Sequence, residues 1–343
     1  MPPPPALPAV ASVEQGAGKT SLGPVVLTAA SHYAIGVVAY NRPEMLNECL
    51  TSLLKVRGVE KGMVVVYQDG TMPAVAATAQ KHGVRVVQET GRPKGNEGAE
   101  DIAAHYKWTF KQIFNAQPAP DYSIVVEDDM IFSADFFDFF RQLTPVLDSD
   151  PTLWCISSWN DNAMKGLVKP DPTKIYRTDF FLGLGWLMRR DLFKNELEAS
   201  WPPTHWDHWM RQPEISKGRE CLFPQIPRNH NIGKIGVHSD EELYNRYFRD
   251  VAFNTDPSPV LGNVARLKDI PYDQDIRQRI AKGFKITSLG QLRKPGLIAP
   301  GQAAVVAYQA PRPADVFAME AEWKPVSEFF KAPLDAARCL CAC

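Results

Sequence analysis

Apolar and polar positions along this chain fall into two alternating kinds of block. Short apolar runs read as buried strands: Ala34-Ile35-Gly36-Val37-Val38-Ala39, Met63-Val64-Val65-Val66-Tyr67, Val84-Arg85-Val86-Val87 and Tyr122-Ser123-Ile124-Val125-Val126. Helical stripes lie between them. Asn41-Arg42-Pro43-Glu44 opens the first, since Pro suits a first turn and Glu the positive end of a helix dipole. Met45, Leu46, Cys49, Leu50, Leu53 and Leu54 then recur at the helical period. A long helix is predicted from about 98 to 114. The order β-α-β-α-β-α-β predicts an α/β fold with a Rossmann-like, mostly parallel, doubly wound sheet. Such sheets bind ligands at the carboxyl ends of their strands. Three predicted strand ends carry Arg42, Asp69 and Glu127-Asp128-Asp129, so these are expected to converge on one crevice.

Beyond the acids, Asp135-Phe136-Phe137-Asp138-Phe139-Phe140 begins a second amphipathic helix, and Leu153-Trp154-Cys155-Ile156-Ser157 is a further strand. Gly183 and Gly185 inside an aromatic run imply close backbone approach. The pattern weakens past Gly262. The expected organisation is a Pro-rich disordered tail over 1–30, one large domain over 31–262, a small domain or linker over 263–330 and a Cys-rich tail over 331–343. The 343 residues, 45% of them hydrophobic, suffice for one large domain and an appendage. A net charge of -1 gives no basic field for nucleic acid. Apolar runs stay too short for a membrane span, and Met1-Pro2-Pro3-Pro4-Pro5 lacks the features of a signal peptide. Neither a dinucleotide fingerprint nor a P-loop is present.

Two acidic sites carry the candidate chemistry. Glu127-Asp128-Asp129 follows a buried strand directly. Three adjacent carboxylates repel one another and call for positive charge, typically a hard divalent cation with a phosphate beyond it. The plainer reading is a solvated acidic turn capping the next helix. The second site is Trp206-Asp207-His208-Trp209-Met210-Arg211. Partial desolvation between two tryptophans would make Asp207 a better proton acceptor, and Trp faces stack on sugar rings. The plainer reading here is a core helix with Asp207 paired to Arg211. His205 and His208 share helical spacing, but no further ligands stand nearby to complete a zinc site.

These segments form a longer ordered series. It comprises Val126-Glu127-Asp128-Asp129, Asp135-Phe136-Phe137, Leu153-Trp154-Cys155, Trp159-Asn160-Asp161, Tyr176-Arg177-Thr178-Asp179-Phe180-Phe181, Gly183-Leu184-Gly185-Trp186, Trp206-Asp207-His208-Trp209-Met210-Arg211-Gln212-Pro213-Glu214 and Gly218-Arg219-Glu220-Cys221. The series resembles the N-acetylglucosaminyltransferase I family and its relative, protein O-mannose β-1,2-N-acetylglucosaminyltransferase. The resemblance runs from about 34 to 254. It implies a GT-A fold, UDP-GlcNAc as donor, Mn²⁺ as cofactor and a mannose-terminated glycoprotein glycan as acceptor, in the Golgi.

The resemblance also implies residue roles. Asp129 would ligate Mn²⁺, Asp128 would contact the ribose and Glu127 the GlcNAc. Arg42, Asp69 and His105 would read the nucleotide, and Val38 would pack beside the uracil. Leu184 and Trp206 would hold the sugar, and Asp207 would be the single base of an inverting displacement. The donor-covering loop would span Gly233 to Tyr244, retaining Gly236 and the substrate-binding Val237, with His238 in the place of the family's serine that meets the diphosphate. A family disulfide survives as Cys155 and Cys221, while Tyr40 and Gly70 stand where another is absent. The acid that follows the base in the family is His208 here. The altered loop keeps a catalytically inactive sugar-nucleotide or glycan binder open as an alternative, and a metal-dependent phosphohydrolase is a third.

Overall fold

The four apolar runs fold as β1 (Tyr33–Ala39), β2 (Val64–Asp69), β3 (Arg85–Glu89) and β4 (Tyr122–Glu127), joined in turn through α1 (Pro43–Leu53), α2 (Pro73–Lys81) and α3 (Gly98–Phe114). The structure, a computed structural model, describes residues 32–166, 168, 171–236, 240–286, 291 and 304–306. Val237 and His238 therefore lie outside the described residues, as do the Pro-rich and Cys-rich tails. After β4 come β5 (Met130–Phe132), α4 (Phe136–Ser149), β6 (Leu153–Ser157), β7 (Ile175–Thr178) and β8 (Trp186–Arg189). A short helical turn, α5 (Arg190–Leu192), runs into a π-helical turn and then to α6 (Trp206–Met210) and α7 (Pro213–Ser216). The chain continues through β9 (Glu220–Pro224), β10 (Asn229–Asn231), α8 (Glu241–Tyr247) and α9 (Asp269–Lys282).

Eight strands make one sheet in the order β3-β2-β1-β4-β8-β6-β9-β7. The pairs β1/β2, β1/β4, β2/β3 and β6/β9 are parallel. Only β8 and β7 run against the rest. This is the mostly parallel α/β sheet that the alternation predicts. Every residue of β2 is buried, as expected where helices cover both faces. Alternate residues of β1 and β4 divide between two cores. Ile35, Val37, Ile124 and Val126 pack with Leu46 and Leu50 of α1 and with Phe136 and Phe140 of α4. Ala34 and Val125 face Phe110 and Ile113 of α3 and a cluster of Trp154, Trp186, Trp201 and Trp206.

Two buried arginines fasten the lower half of the sheet. Arg177 on β7 donates to Asp150 at 2.8 Å, to Glu220 at 2.6 Å, to Thr152 at 2.6 Å and to the Leu267 carbonyl at 3.0 Å. The stretch after Gly262 is thus tied to the body at Leu267. Arg228, fully buried, donates to Asp135 at 2.8 Å, and Asp135 also accepts from Ser133 and Asn254 at 2.7 Å each. That cluster gathers at the connection from β5 to α4, shortly after the acidic triplet in the chain. Across β6 and β9, Cys155 and Cys221 have Cα atoms 4.7 Å apart and sulfurs within bonding distance.

Candidate functional site

Strand ends build the first wall of the site. Arg42 precedes α1, Asp69 ends β2, and the acidic triplet begins on the last residue of β4. The triplet is no solvated turn. Asp128 is 2% and Asp129 6% exposed. The chain turns at once into β5, which pairs antiparallel with β10 and draws Asn231 and Gly233 against Asp129. An added Cβ at Gly233 would overlap the Asp129 carboxylate, so only glycine permits that approach.

The positive charge required by the triplet comes in part from Arg42. Its Nη1 donates to Asp129 at 2.8 Å and its Nη2 to Asp128. Tyr106 of α3 donates to Glu127 at 2.6 Å. One guanidinium faces three carboxylates, which leaves the site short of cations. Burial, followed by the charge on Asp129, pushes Glu127 up to about 7. Burial also outweighs Arg42 at Asp128 and raises it to about 6. Burial and the Glu127 charge hold Tyr106 well above the ordinary phenol range, so it remains a donor.

A second group gathers around Asp69. Arg92 pairs with Asp69 at 2.8 Å, Glu89 at 3.2 Å and Asp101 at 2.6 Å, and Lys94 pairs with Asp69 at 2.8 Å. His105 sets Nδ1 2.6 Å from Glu89 and Nε2 3.0 Å from the Tyr67 carbonyl. Because a carbonyl only accepts, Nε2 carries a proton. Asp69, Glu89 and His105 could meet on a cation by distance, their ligating atoms lying within 4.8 Å of one another. Arg92 and Lys94 already supply positive charge to this cluster, which makes it an ion-pair network.

Aromatic side chains and α6 form the opposite wall. Trp206 is buried and stacks on Tyr106 with centroids 4.2 Å apart, and on Trp186 and Trp201 at 5.8 and 5.9 Å. Asp207 is partly buried. Its side chain is 35% exposed, and Arg211 Nη1 donates to it at 3.0 Å. Trp206 turns into the aromatic core. The ion pair of the plainer reading therefore forms, and Asp207 nonetheless lines the cavity. Gly185 has φ +68, and an added Cβ there would lie 2.6 Å from Ser158 Oγ, which accounts for one glycine of the aromatic run.

The two walls enclose a cavity of about 830 Å³, within the range of small-molecule sites. Val38, Arg42, Asp69, His105, Glu127, Asp128, Asp129, Leu184, Trp206 and Asp207 all line it. Sequence reasoning missed Lys94, Asp101, Tyr106 and Asn231, which line it too, as does Asp161, quoted in the motif series without a role. Tyr106 had a usable signal, since it follows His105 on a helix already assigned to the site. Lys94 and Asn231 had none, because they sit outside the recognised motifs. A shallower groove of about 470 Å³ along α1 and β5, with Glu48 and Lys55 on its rim, gathers no comparable set of converging groups.

Residues 12–287 match the sequence profile of the GNT-I family. The chain is 33% identical over 231 residues to an alpha-1,3-mannosyl-glycoprotein 2-beta-N-acetylglucosaminyltransferase of Arabidopsis thaliana, a match covering 64% of this chain and 51% of that protein. The match thus spans about half the length of that curated relative. Among solved structures, S. aureus TarS 1–349 in complex with UDP-GlcNAc is similar at 13% identity and a TM-score of 0.43, over 62% of this chain and 64% of that one. The mannosyltransferase of Pyrobaculum calidifontis in complex with GDP-Man and Mn²⁺ is similar at 14% identity and a TM-score of 0.38, over 61% and 60%. At these scores the two structural likenesses carry no argument about this chain.

Proposed function

The chain belongs to the GNT-I family and has the mostly parallel α/β sheet of a GT-A glycosyltransferase, and on that footing we propose that it is an inverting β-1,2-N-acetylglucosaminyltransferase. Its donor is UDP-GlcNAc and its acceptor the 2-hydroxyl of a mannose on a glycoprotein glycan. The observation that carries this reading is the cavity itself. Every described residue to which the resemblance gives a catalytic, metal-holding or substrate-binding role lines it.

In the proposed reaction the mannose oxygen bonds to the anomeric carbon as the bond from that carbon to the diphosphate breaks. The electron pair leaves with UDP, and the hydroxyl proton passes to Asp207. One carboxylate suffices for a single displacement. Arg42 and Asp69 hold the nucleotide, Trp206 and Leu184 the sugar. Three carboxylates facing one guanidinium, with Glu127 and Asp128 raised by burial, make a donor set suited to a hard divalent ion. Asp129 would hold Mn²⁺, with Asp128 and Glu127 adjoining. When bound, that ion supplies Lewis-acid stabilisation of the leaving diphosphate.

Two further parts of the reading concern the setting. Cys155 and Cys221 form a disulfide in this proposal, and the protein acts in the Golgi. Among the described residues no helix is long and apolar enough to cross a membrane.

The test is an incubation with UDP-GlcNAc, Mn²⁺ and glycans ending in mannose, with and without EDTA. Transfer yields equal amounts of UDP and a β-1,2-linked product. UDP release without acceptor would instead mark a hydrolase, and binding without turnover a sugar-nucleotide binder. Comparing an N-glycan with an O-mannosyl peptide decides the acceptor.

A further inference from the structure

Asp207 stands on the first turn of a helix only five residues long, so α6 alone does little to fix its carboxylate. Residues four apart lie on one helix face. Arg211 accordingly stands beside Asp207 and donates from Nη1 to Oδ2 at 3.0 Å. The guanidinium is held from its other side as well. Nε donates to the Phe181 carbonyl at 3.2 Å, and the guanidinium carbon lies 4.5 Å from the centre of the Phe180 ring. Phe180 and Phe181 lead directly into Leu182 and Gly183 of the cavity lining. Arg211 therefore ties the helix bearing Asp207 to a second segment of the cavity wall.

The contacts are also one-sided. His208 Nε2 lies 3.8 Å from the same Oδ2 that Arg211 holds. The hydrogen bond from Arg211 and the approach of His208 thus both fall on Oδ2. Both side chains of the main pair are partly exposed, Arg211 by 27% and Asp207 by 35%. Pairs of that kind contribute little to stability, so stability is a poor account of a guanidinium anchored at three points. Orientation is a better one, because a misplacement of about 1 Å in a reacting group costs on the order of 10²-fold in rate.

We propose that Arg211 is a positioning residue for the transfer reaction. It occupies Oδ2 of Asp207 and so keeps Oδ1 for the acceptor hydroxyl. The proposal rests on the reading of Asp207 as the base. Arg211 also lines the cavity, and the proposal has it act through Asp207 and not through a contact of its own with donor or acceptor.

The experiment compares Arg211→Met, Arg211→Lys, Asp207→Asn and the Arg211→Met/Asp207→Asn double variant, each in the full chain. Turnover is measured with UDP-GlcNAc, Mn²⁺ and a mannose-terminated glycan. UDP titration in Mn²⁺ gives donor-site affinity, and thermal unfolding checks the fold. Arg211→Met is expected to lower kcat by about 10–100-fold while UDP affinity stays within about two-fold. Arg211→Lys keeps a cation in reach and should recover part of the loss. In the Asp207→Asn background, Arg211→Met should add little, since residues acting as a unit are not additive. An undiminished loss in that background, or a fall in UDP affinity, would overturn the proposal. So would wild-type turnover in Arg211→Met while Asp207→Asn is inactive. If Asp207→Asn itself turns over normally, the base reading fails first and takes this proposal with it. If Arg211→Met fails to fold, Arg211→Lys carries the same comparison, and a wild-type rate there overturns the proposal.

Discussion

Two buried acidic sites share this sheet and are provided for in opposite ways. Asp150, at the lower end, accepts from the Thr152 amide at 2.9 Å, the Thr152 hydroxyl at 2.6 Å, the Asp269 amide at 2.8 Å and Arg177 at 2.8 Å. Burial opposes its charge, but the Thr152 and Asp269 donors and Arg177 outweigh it and hold Asp150 down at about 2. At the cavity, burial wins. Glu127 has the Tyr106 hydroxyl, Asp128 has Arg42, and their values rise to about 7 and about 6. A carboxylate saturated with donors is a fastening. Carboxylates left short of donors at a cavity wall keep capacity for something that arrives from outside. The contrast rests on donors and burial alone, without reference to any relative.

The strongest way to break the comparison is to exchange the expected phenotypes. Asp207→Asn should lower turnover by roughly 10²–10⁴-fold and leave Mn²⁺-dependent UDP binding within a few-fold. Asp129→Ala should lose binding and turnover together, with the melting temperature nearly unchanged. Calorimetric titration of UDP beside steady-state kinetics distinguishes the pair, and equal UDP binding in EDTA and in Mn²⁺ would defeat the metal assignment. Next in size is the fastening. Arg177→Met strands Asp150 and should cost about 3–5 kcal/mol of stability in denaturant titrations. A loss under 1 kcal/mol there would dissolve the distinction.

Smaller effects sharpen it through pH. Asp150 has a folded value below its ordinary 3.8, so its contribution is complete above 3.8 and is lost as pH falls toward about 2. Its size is roughly 2 kcal/mol. Asp150→Asn should flatten the acid limb of stability in that window, and an unchanged limb would show that other groups govern it. Asp128 has the opposite sign. Its folded value is above 3.8, so its ionisation weakens the fold as pH rises from 3.8 through about 6. Asp128→Asn in metal-free protein at neutral pH should therefore melt no lower than wild type. A clear drop in melting temperature would mean that Asp128 is a fastening after all.

Much of this was legible in the sequence, for identifiable reasons. The parallel half of the sheet follows from apolar runs separated by helical stripes, and Leu153 to Ser157 matches β6. The triplet's place on β4 followed from Val125-Val126 preceding it. The strand β5 was not legible, because Met130 to Phe132 is too short to stand out from the helix that follows. The reversed strands β7 and β8 were equally hidden, since strand direction depends on long-range pairing that no local period records. At the site, residues inside motifs were found and their partners were not. Arg92 and Lys94 lie in a Gly- and Pro-containing loop whose course depends on the carboxylates it meets. The orientation of Trp206 was not legible either, because a five-residue helix can turn it inward and leave Asp207 partly exposed on the cavity wall.

Helix α3 has a mechanical consequence. His105 and Tyr106 are consecutive residues, yet His105 touches the Glu89 and Tyr67 side of the cavity while Tyr106 touches Glu127 and stacks on Trp206. One rigid peptide unit thus serves as a fulcrum between two compartments. A rotation of α3 that loosened one contact would swing the other, so neither compartment can be retuned by repacking this helix without disturbing its neighbour. Asp69 is joined to the same fulcrum, because Arg92 bridges it to Glu89, the partner of His105.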